Sequence, residues 1–151
     1  GYKWMLSGYG VAFILVKKNF YSNKFINSNY NELKKSIEVG HYDILSIGSL
    51  GFSIDKLKPM IGKIEKKLNT FSKFFKKELE SINMLDEKLK DRKSHSTIFN
   101  LKDSDDKLFK YLVNNKMVCS KRGKGVRVSF NFFNTKSEIK KLIIALKKFN
   151  L

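Results

Sequence analysis

The sequence predicts an α+β fold, an antiparallel sheet with helices packed on one side, and three features carry that expectation. Ile61, Ile64, Leu68, Phe71, Phe75, Leu79 and Ile82 follow one another at the spacing of one long amphipathic helix. Val126, Val128, Phe130 and Phe132 alternate with Arg127, Ser129 and Asn131, the period-two pattern of a half-buried strand. Lys121-Arg122-Gly123-Lys124-Gly125 reads as a turn joining that strand to another over residues 117–121. Strands paired through a turn and flanked by amphipathic helices make a layered arrangement. A chain of 151 residues, 42% of them hydrophobic, is long enough for one ordinary domain with its own core.

The remaining elements follow in chain order. Val11, Ala12, Phe13, Ile14, Leu15 and Val16 are β-prone and apolar on both faces, the pattern of a strand covered on both sides of a sheet. Nothing ahead of it supplies the neighbouring strands, so it is expected to belong to a larger body. Residues 19–40 read as a polar, asparagine-rich loop. Ile44, Leu45, Ile47, Leu50, Ile54 and Leu57 recur at helical spacing, and Gly48 and Gly51 lie three apart within that helix. Each glycine costs roughly 1 kcal/mol relative to alanine in a helix interior, so close approach of another backbone is expected there. Pro59 opens the long helix at a favoured early position. A strand over 96–101 follows. Asp103 or Ser104 then caps a short helix with Asp105 and Asp106 at the positive end of its dipole. Thr135-Lys136-Ser137-Glu138 is a capping box, opening a last helix with Ile139, Leu142, Ile143, Leu146 and Phe149 on one face.

A net charge of +17 points toward polyanions, but its composition argues otherwise. Lysine supplies 28 of the 31 cations, and lysine, asparagine, isoleucine and phenylalanine are the residues of AT-rich codons. Base composition therefore accounts for much of the excess. Nucleic-acid sites lean on arginine for bidentate contacts and stacking, and only Arg92, Arg122 and Arg127 are present. Nucleic acid is not the expected partner, although a basic, non-catalytic module for nucleic acid or an acidic partner is the competing reading. Residues 93–151 carry 14 cations and four anions. Much of that excess (Lys136, Lys140, Lys141, Lys147, Lys148) falls on the polar side of the last helix, the pattern of a solvated face. The longest purely apolar run, six residues over 11–16, is too short to span a bilayer. No basic-then-apolar leader precedes it, and a single cysteine, Cys119, excludes a disulfide framework and a cysteine-based zinc site. A cytoplasmic protein, away from membranes, is expected.

Read residue by residue, no catalytic motif is complete. His41 and His95 stand at no metal-ligand spacing, and no metal site is expected. Cys119 falls inside an expected strand, where a buried, inert thiol is the better reading. Arg127 lies mid-strand between two valines and faces away from them. A guanidinium retained in so lysine-rich a chain suggests that its planar, carboxylate-gripping fork matters. An exposed strand residue is the equally weighted alternative. Lys3, beside Trp4, has no standing of its own among 28 lysines.

Three stretches together carry a family resemblance. Gly1-Tyr2-Lys3-Trp4-Met5-Leu6-Ser7-Gly8-Tyr9-Gly10 and the apolar run after it resemble the lysine-bearing segment of class V aminotransferases. This is the pyridoxal-phosphate group that includes cysteine desulfurases and selenocysteine lyases. Glu38-Val39-Gly40-His41 resembles the family's Glu-x-Gly-Thr stretch. Val126-Arg127-Val128-Ser129-Phe130-Asn131-Phe132-Phe133-Asn134-Thr135-Lys136-Ser137-Glu138-Ile139 resembles its Arg-x-Ser-x-x-x-Tyr/Phe-Asn-Thr-x-x-Glu-Ile/Val terminus. The matches occur in family order and span the chain.

The resemblance implies the C-terminal small domain of a fold-type-I pyridoxal-phosphate transferase, plus one strand left over from the large α/β domain. Residues 1–40 are then the remnant of the large cofactor-binding domain, and 41–151 the small domain with its connecting helix. Lys3 matches the Schiff-base lysine, and Arg127 the arginine that holds the substrate's α-carboxylate. His41 stands where the family places a threonine on the cofactor phosphate of the partner subunit; it departs from that pattern and retains only a hydrogen-bonding capacity. Ser7 and Gly8 replace the usual Gly-Pro. Cys119 lies eight residues before Arg127 rather than on the loop that carries a desulfurase nucleophile, so persulfide chemistry is disfavoured. The implied activity is aminotransferase-like or lyase-like, on an amino-acid or keto-acid substrate, in a homodimer. The family's remaining cofactor-holding groups lie before the lysine, so the chain is expected to be a C-terminal fragment, inactive alone and prone to self-association.

Overall fold

Two units make up the chain, Gly1–Met60 and Ile61–Leu151, in a computed structural model that describes residues 1–15, 35, 40 and 43–150. The first contains helix α1, Ile44–Leu57, and the 3-10 turn Lys58–Met60 that holds Pro59. Asp43 caps α1, its carboxylate accepting from the Ser46 amide at 3.1 Å. The helix covers its serine side rather than its apolar side. Ser46 and Ser53 are buried, whereas Ile44, Leu45, Ile47, Phe52 and Ile54 are exposed. The segment over 1–15 makes that cover: the Gly8 amide donates to Ser49 Oγ at 2.7 Å, and the Ser46 hydroxyl donates to the Tyr9 carbonyl.

Two expectations are corrected in this unit. Residues 11–15 form no strand, and Phe13, Ile14 and Leu15 are 56%, 65% and 90% exposed. A strand exists only through a ladder partner, and among the described residues none lies beside this run. The Gly1 nitrogen instead donates to the Val11 carbonyl at 2.8 Å, closing the segment on itself. Val16 and His41 lie outside the described residues, as does nearly all of the 19–40 loop. Among the described residues Gly48 and Gly51 meet no close backbone, since a Cβ at either would have nothing within 4 Å. The two units meet at Met60/Ile61, and α1 lies in the first.

The second unit is the α+β body. Its elements are α2 (Ile61–Ser81), α3 (Glu87–Lys90), β1 (Ile98–Lys102), α4 (Lys107–Asn114), β2 (Ser120–Lys121), β3 (Gly125–Ser129) and α5 (Lys136–Phe149). The strands form one antiparallel sheet in the order β1-β3-β2. Alternation sends Phe99, Leu101, Val126 and Val128 into a core shared with α2, α4 and α5. Phe75 of α2 is fully buried at its centre, edge-on to Phe99 and Phe130 with both ring centroids at 4.9 Å. The Phe130 amide donates to the Thr97 carbonyl at 3.0 Å and the Thr97 hydroxyl to the Phe130 carbonyl at 2.6 Å, prolonging the β1–β3 pairing.

Element ends move for local reasons. The short helix begins at Lys107, later than expected, and Asp106 itself takes a left-handed φ of 61° with no cap bond. Asp103 performs the capping from a distance, its carboxylate accepting from the Leu108 and Phe109 amides at 3.1 and 2.8 Å. β2 is shorter than the 117–121 expected: Lys116 turns left-handed and the Met117 amide closes α4 on the Leu112 carbonyl at 2.9 Å. The expected capping box is present at α5: the Glu138 amide donates to Thr135 Oγ1 at 3.2 Å, and the Thr135 amide to the Glu138 carboxylate at 2.6 Å.

Two predictions follow from the packing and the cap. Phe75→Ala leaves a void where three rings meet and should lower the unit's unfolding free energy by about 3–5 kcal/mol, measured by denaturant titration. The Thr135 amide, the Thr135 hydroxyl and the Asn134 side-chain amide hold the Glu138 carboxyl below its ordinary range. Its stabilising effect is therefore complete above that range and lost as pH falls through the lowered value. Amide exchange in the first turn of α5 should quicken on acidification relative to the core, and in Glu138→Gln that pH-dependent part should vanish.

Candidate functional site

The face of the sheet opposite the core carries a polar row. The register sets Asn100 of β1, Arg127 of β3 and Ser120 of β2 side by side, and all three point away from Val126 and Val128. The turn before β3 fixes the next group. The Arg122 amide donates to the Gly125 carbonyl at 2.9 Å, with Gly123 at a left-handed φ of 58°. At Gly125 an added Cβ would lie 2.4 Å from the Leu101 carbonyl oxygen, so only glycine lets β3 start this close to β1.

Residues 86–97 wall the row on one side, and α2 holds them there. The Lys76 ammonium reaches the carbonyls of Lys90 and Arg92 at 2.8 and 2.9 Å. The buried Ser72 hydroxyl lies 2.8 and 3.1 Å from those of His95 and Ser96. The His95 ring rests on Phe99 with centroids 4.7 Å apart, its Nδ1 donating to the Ser96 carbonyl at 2.6 Å. Arg92 and His95 are thereby brought to the same open cleft as Arg122 and Arg127, a space of about 320 Å³ that Asp86, Lys88, Leu89, Ile98 and Asn100 complete. Among the described residues none of the three guanidiniums takes part in an ion pair. Guanidinium forks outside any ion pair can bind an anion.

The residues singled out in the sequence fall in different places. Arg127 is half-buried in the cleft, whereas Lys3 belongs to the first unit and is exposed. Its ammonium sits 5.5 Å from the Tyr2 ring centroid, and Tyr2 stacks on Tyr9 at 4.8 Å. His41 lies outside the described residues. Cys119 precedes β2, partly buried, with its thiol pushed up first by burial and then by the Asp103 carboxylate. The thiolate is disfavoured there. On α5 the five lysines are exposed, and Lys147 pairs with Glu78 at 2.8 Å. Among the described residues no cluster of three histidine, cysteine or acidic side chains suits a metal, and no helix is long and apolar enough to cross a membrane. Sequence reasoning missed Arg92, Arg122 and His95 as neighbours of Arg127; the scarcity of arginine was the signal that could have grouped the first two.

No protein-family profile matches the chain, and neither does any curated protein.

The clasp by Lys76 yields a direct test. Lys76→Met should loosen the 90–96 segment by about 1 kcal/mol, seen as faster amide exchange at Arg92 and His95, while core amides of α5 keep their protection.

Proposed function

We propose that this chain is the C-terminal portion of a pyridoxal-phosphate-dependent, class V aminotransferase-like enzyme acting on an amino acid, with a keto acid as counterpart and a homodimer as the working form. The support comes from the three ordered sequence matches. The observation that carries the reading in space is Arg127. It stands mid-strand on the open face of a small antiparallel sheet, inside a cleft, with its guanidinium in no ion pair among the described residues.

The chemistry of the donor set fits. Lys3 offers a primary amine, the group a carbonyl-bearing cofactor condenses with, and it takes part in no ion pair among the described residues. When bound, the cofactor supplies the electron sink for a carbanion at the substrate's Cα. The chain's own residues supply position and proton transfer. The Arg127 fork grips the α-carboxylate through two parallel N–H bonds, which fixes the orientation of the Cα bonds. Lys3, by the sequence match alone, is the proposed carrier of the Cα proton. His41 remains the position for a hydrogen bond to the cofactor's phosphate.

Pyruvate is the simplest probe of the Arg127 role. Titrated into the chain, it should shift the amides of Asn100, Ser120 and Arg127 together, and Arg127→Lys should weaken binding about fivefold or more, a loss near 1 kcal/mol. Shifts confined to the lysines of α5 would sink the assignment. Lys3 is exposed rather than set in a closed pocket, so the chain alone should give no saturable long-wavelength absorbance with pyridoxal phosphate. A saturable band abolished by Lys3→Ala would show the opposite.

A further inference from the structure

The cations are not distributed evenly by type. The cleft beside Arg127 holds four of the chain's 31, namely Lys88, Arg92, Arg122 and Arg127. Three of these four are arginine, and every cation elsewhere in the chain is lysine. A compositional drift toward lysine explains the rest of the surface but not this concentration. Arginine differs from lysine in its planar fork, which engages two oxygens of a carboxylate or phosphate at once. Its retention at one place marks a demand for that geometry.

The three forks come from three separate elements. Arg127 rises from the sheet, Arg122 from the turn beyond β2, and Arg92 from the segment after α3. Each backbone is held: Arg127 by the ladder, Arg122 by the Gly125 carbonyl, and Arg92 by the Lys76 ammonium on its carbonyl oxygen. Arg122 Nη1 donates to the Lys121 carbonyl at 3.1 Å, which leaves the other N–H groups of its fork without that partner. The one carboxylate in the cleft, Asp86, accepts from the Lys88 amide as the cap of α3. Four cations face one carboxylate in about 320 Å³, the size of a small-molecule site. One carboxylate pairs bidentately with one fork, which leaves the other two lining arginines for a further anionic group.

We infer that Arg92 and Arg122 form a second anion subsite beside Arg127, so that the cleft takes a small acid with two anionic groups. The second group is a carboxylate or a phosphate ester, the two chemistries a guanidinium fork recognises alike. The inference rests on Arg127 holding the first carboxylate, and its test separates the two.

The test is a titration of the whole chain with acetate, succinate and phosphoglycolate at matched ionic strength, followed by calorimetry and by the Asn100 and Arg127 amides. Succinate or phosphoglycolate should bind at least tenfold more tightly than acetate, and whichever is tighter identifies the second group. The double variant Arg92→Gln/Arg122→Gln should reduce both to the affinity of acetate while leaving acetate binding intact, which also shows that the fold survives. A Lys140→Gln/Lys141→Gln control should change nothing. Equal affinity for all three acids in the parent chain, or an equal loss in the lysine control, overturns the subsite. Loss of acetate binding in the parent chain would instead remove the Arg127 role on which it rests.

Discussion

The edge-on seating of Phe75 between Phe99 and Phe130 is the contact on which the rest of the second unit depends. It joins the middle of α2 to β1 and to the end of β3, and so fixes both the distance and the rotation of the helix over the sheet. Rotation matters because Ser72 lies one turn before Phe75 and Lys76 directly after it. With Phe75 locked, the Ser72 hydroxyl and the Lys76 ammonium are turned to the carbonyls of residues 90–96. Those bonds carry Arg92 and His95 around the sheet edge to its polar face. A core contact on one side of the sheet thus sets the wall of a cleft on the other.

What could be read in advance follows from the range of the forces involved. The stripe of α2, the alternation of β3 and the Thr135–Glu138 box are local patterns whose structural consequence lies within a few residues; the helix and the box formed where expected, and the strand formed but ends at Ser129, short of Phe132. Asp103 shows the limit of that logic. Its capping role was legible, but the helix starts four residues later because the carboxylate reaches over the intervening turn to the Leu108 and Phe109 amides. Polarity identified the cap, and only the backbone path placed the start.

The failures share a different cause. The apolar run at 11–15 has every local property of a strand, yet a strand is a relation between two segments, and among the described residues its partner is absent. Gly48 and Gly51 suggested a close neighbour from their cost in a helix, but among the described residues none lies within 4 Å of a Cβ there, and close approach is permitted instead at Gly125. In α1 the apolar residues share a helix as their spacing indicated, while the first segment docks on the serine side, through hydrogen bonds to Ser46 and Ser49. Periodicity reports which residues share a face. It does not report which face meets a partner.

The candidate site was half legible for a related reason. Arg127 stood out because strand alternation gave it a direction and the lysine bias gave it rarity. Arg92 and Arg122 shared the rarity but had no regular element to aim them, lying in a segment after a four-residue helix and in a turn. Their convergence depends on carbonyl groups gripped by a helix far away in sequence, which no spacing rule encodes. Charge bias itself sharpens the contrast. When a genome's composition drives cations toward lysine, a lysine carries little information about function, and each arginine that persists records a requirement that a point charge does not meet. Three such residues in separate elements, each with its backbone fixed and all opening on one cleft, are therefore more informative than the whole of the +17 charge.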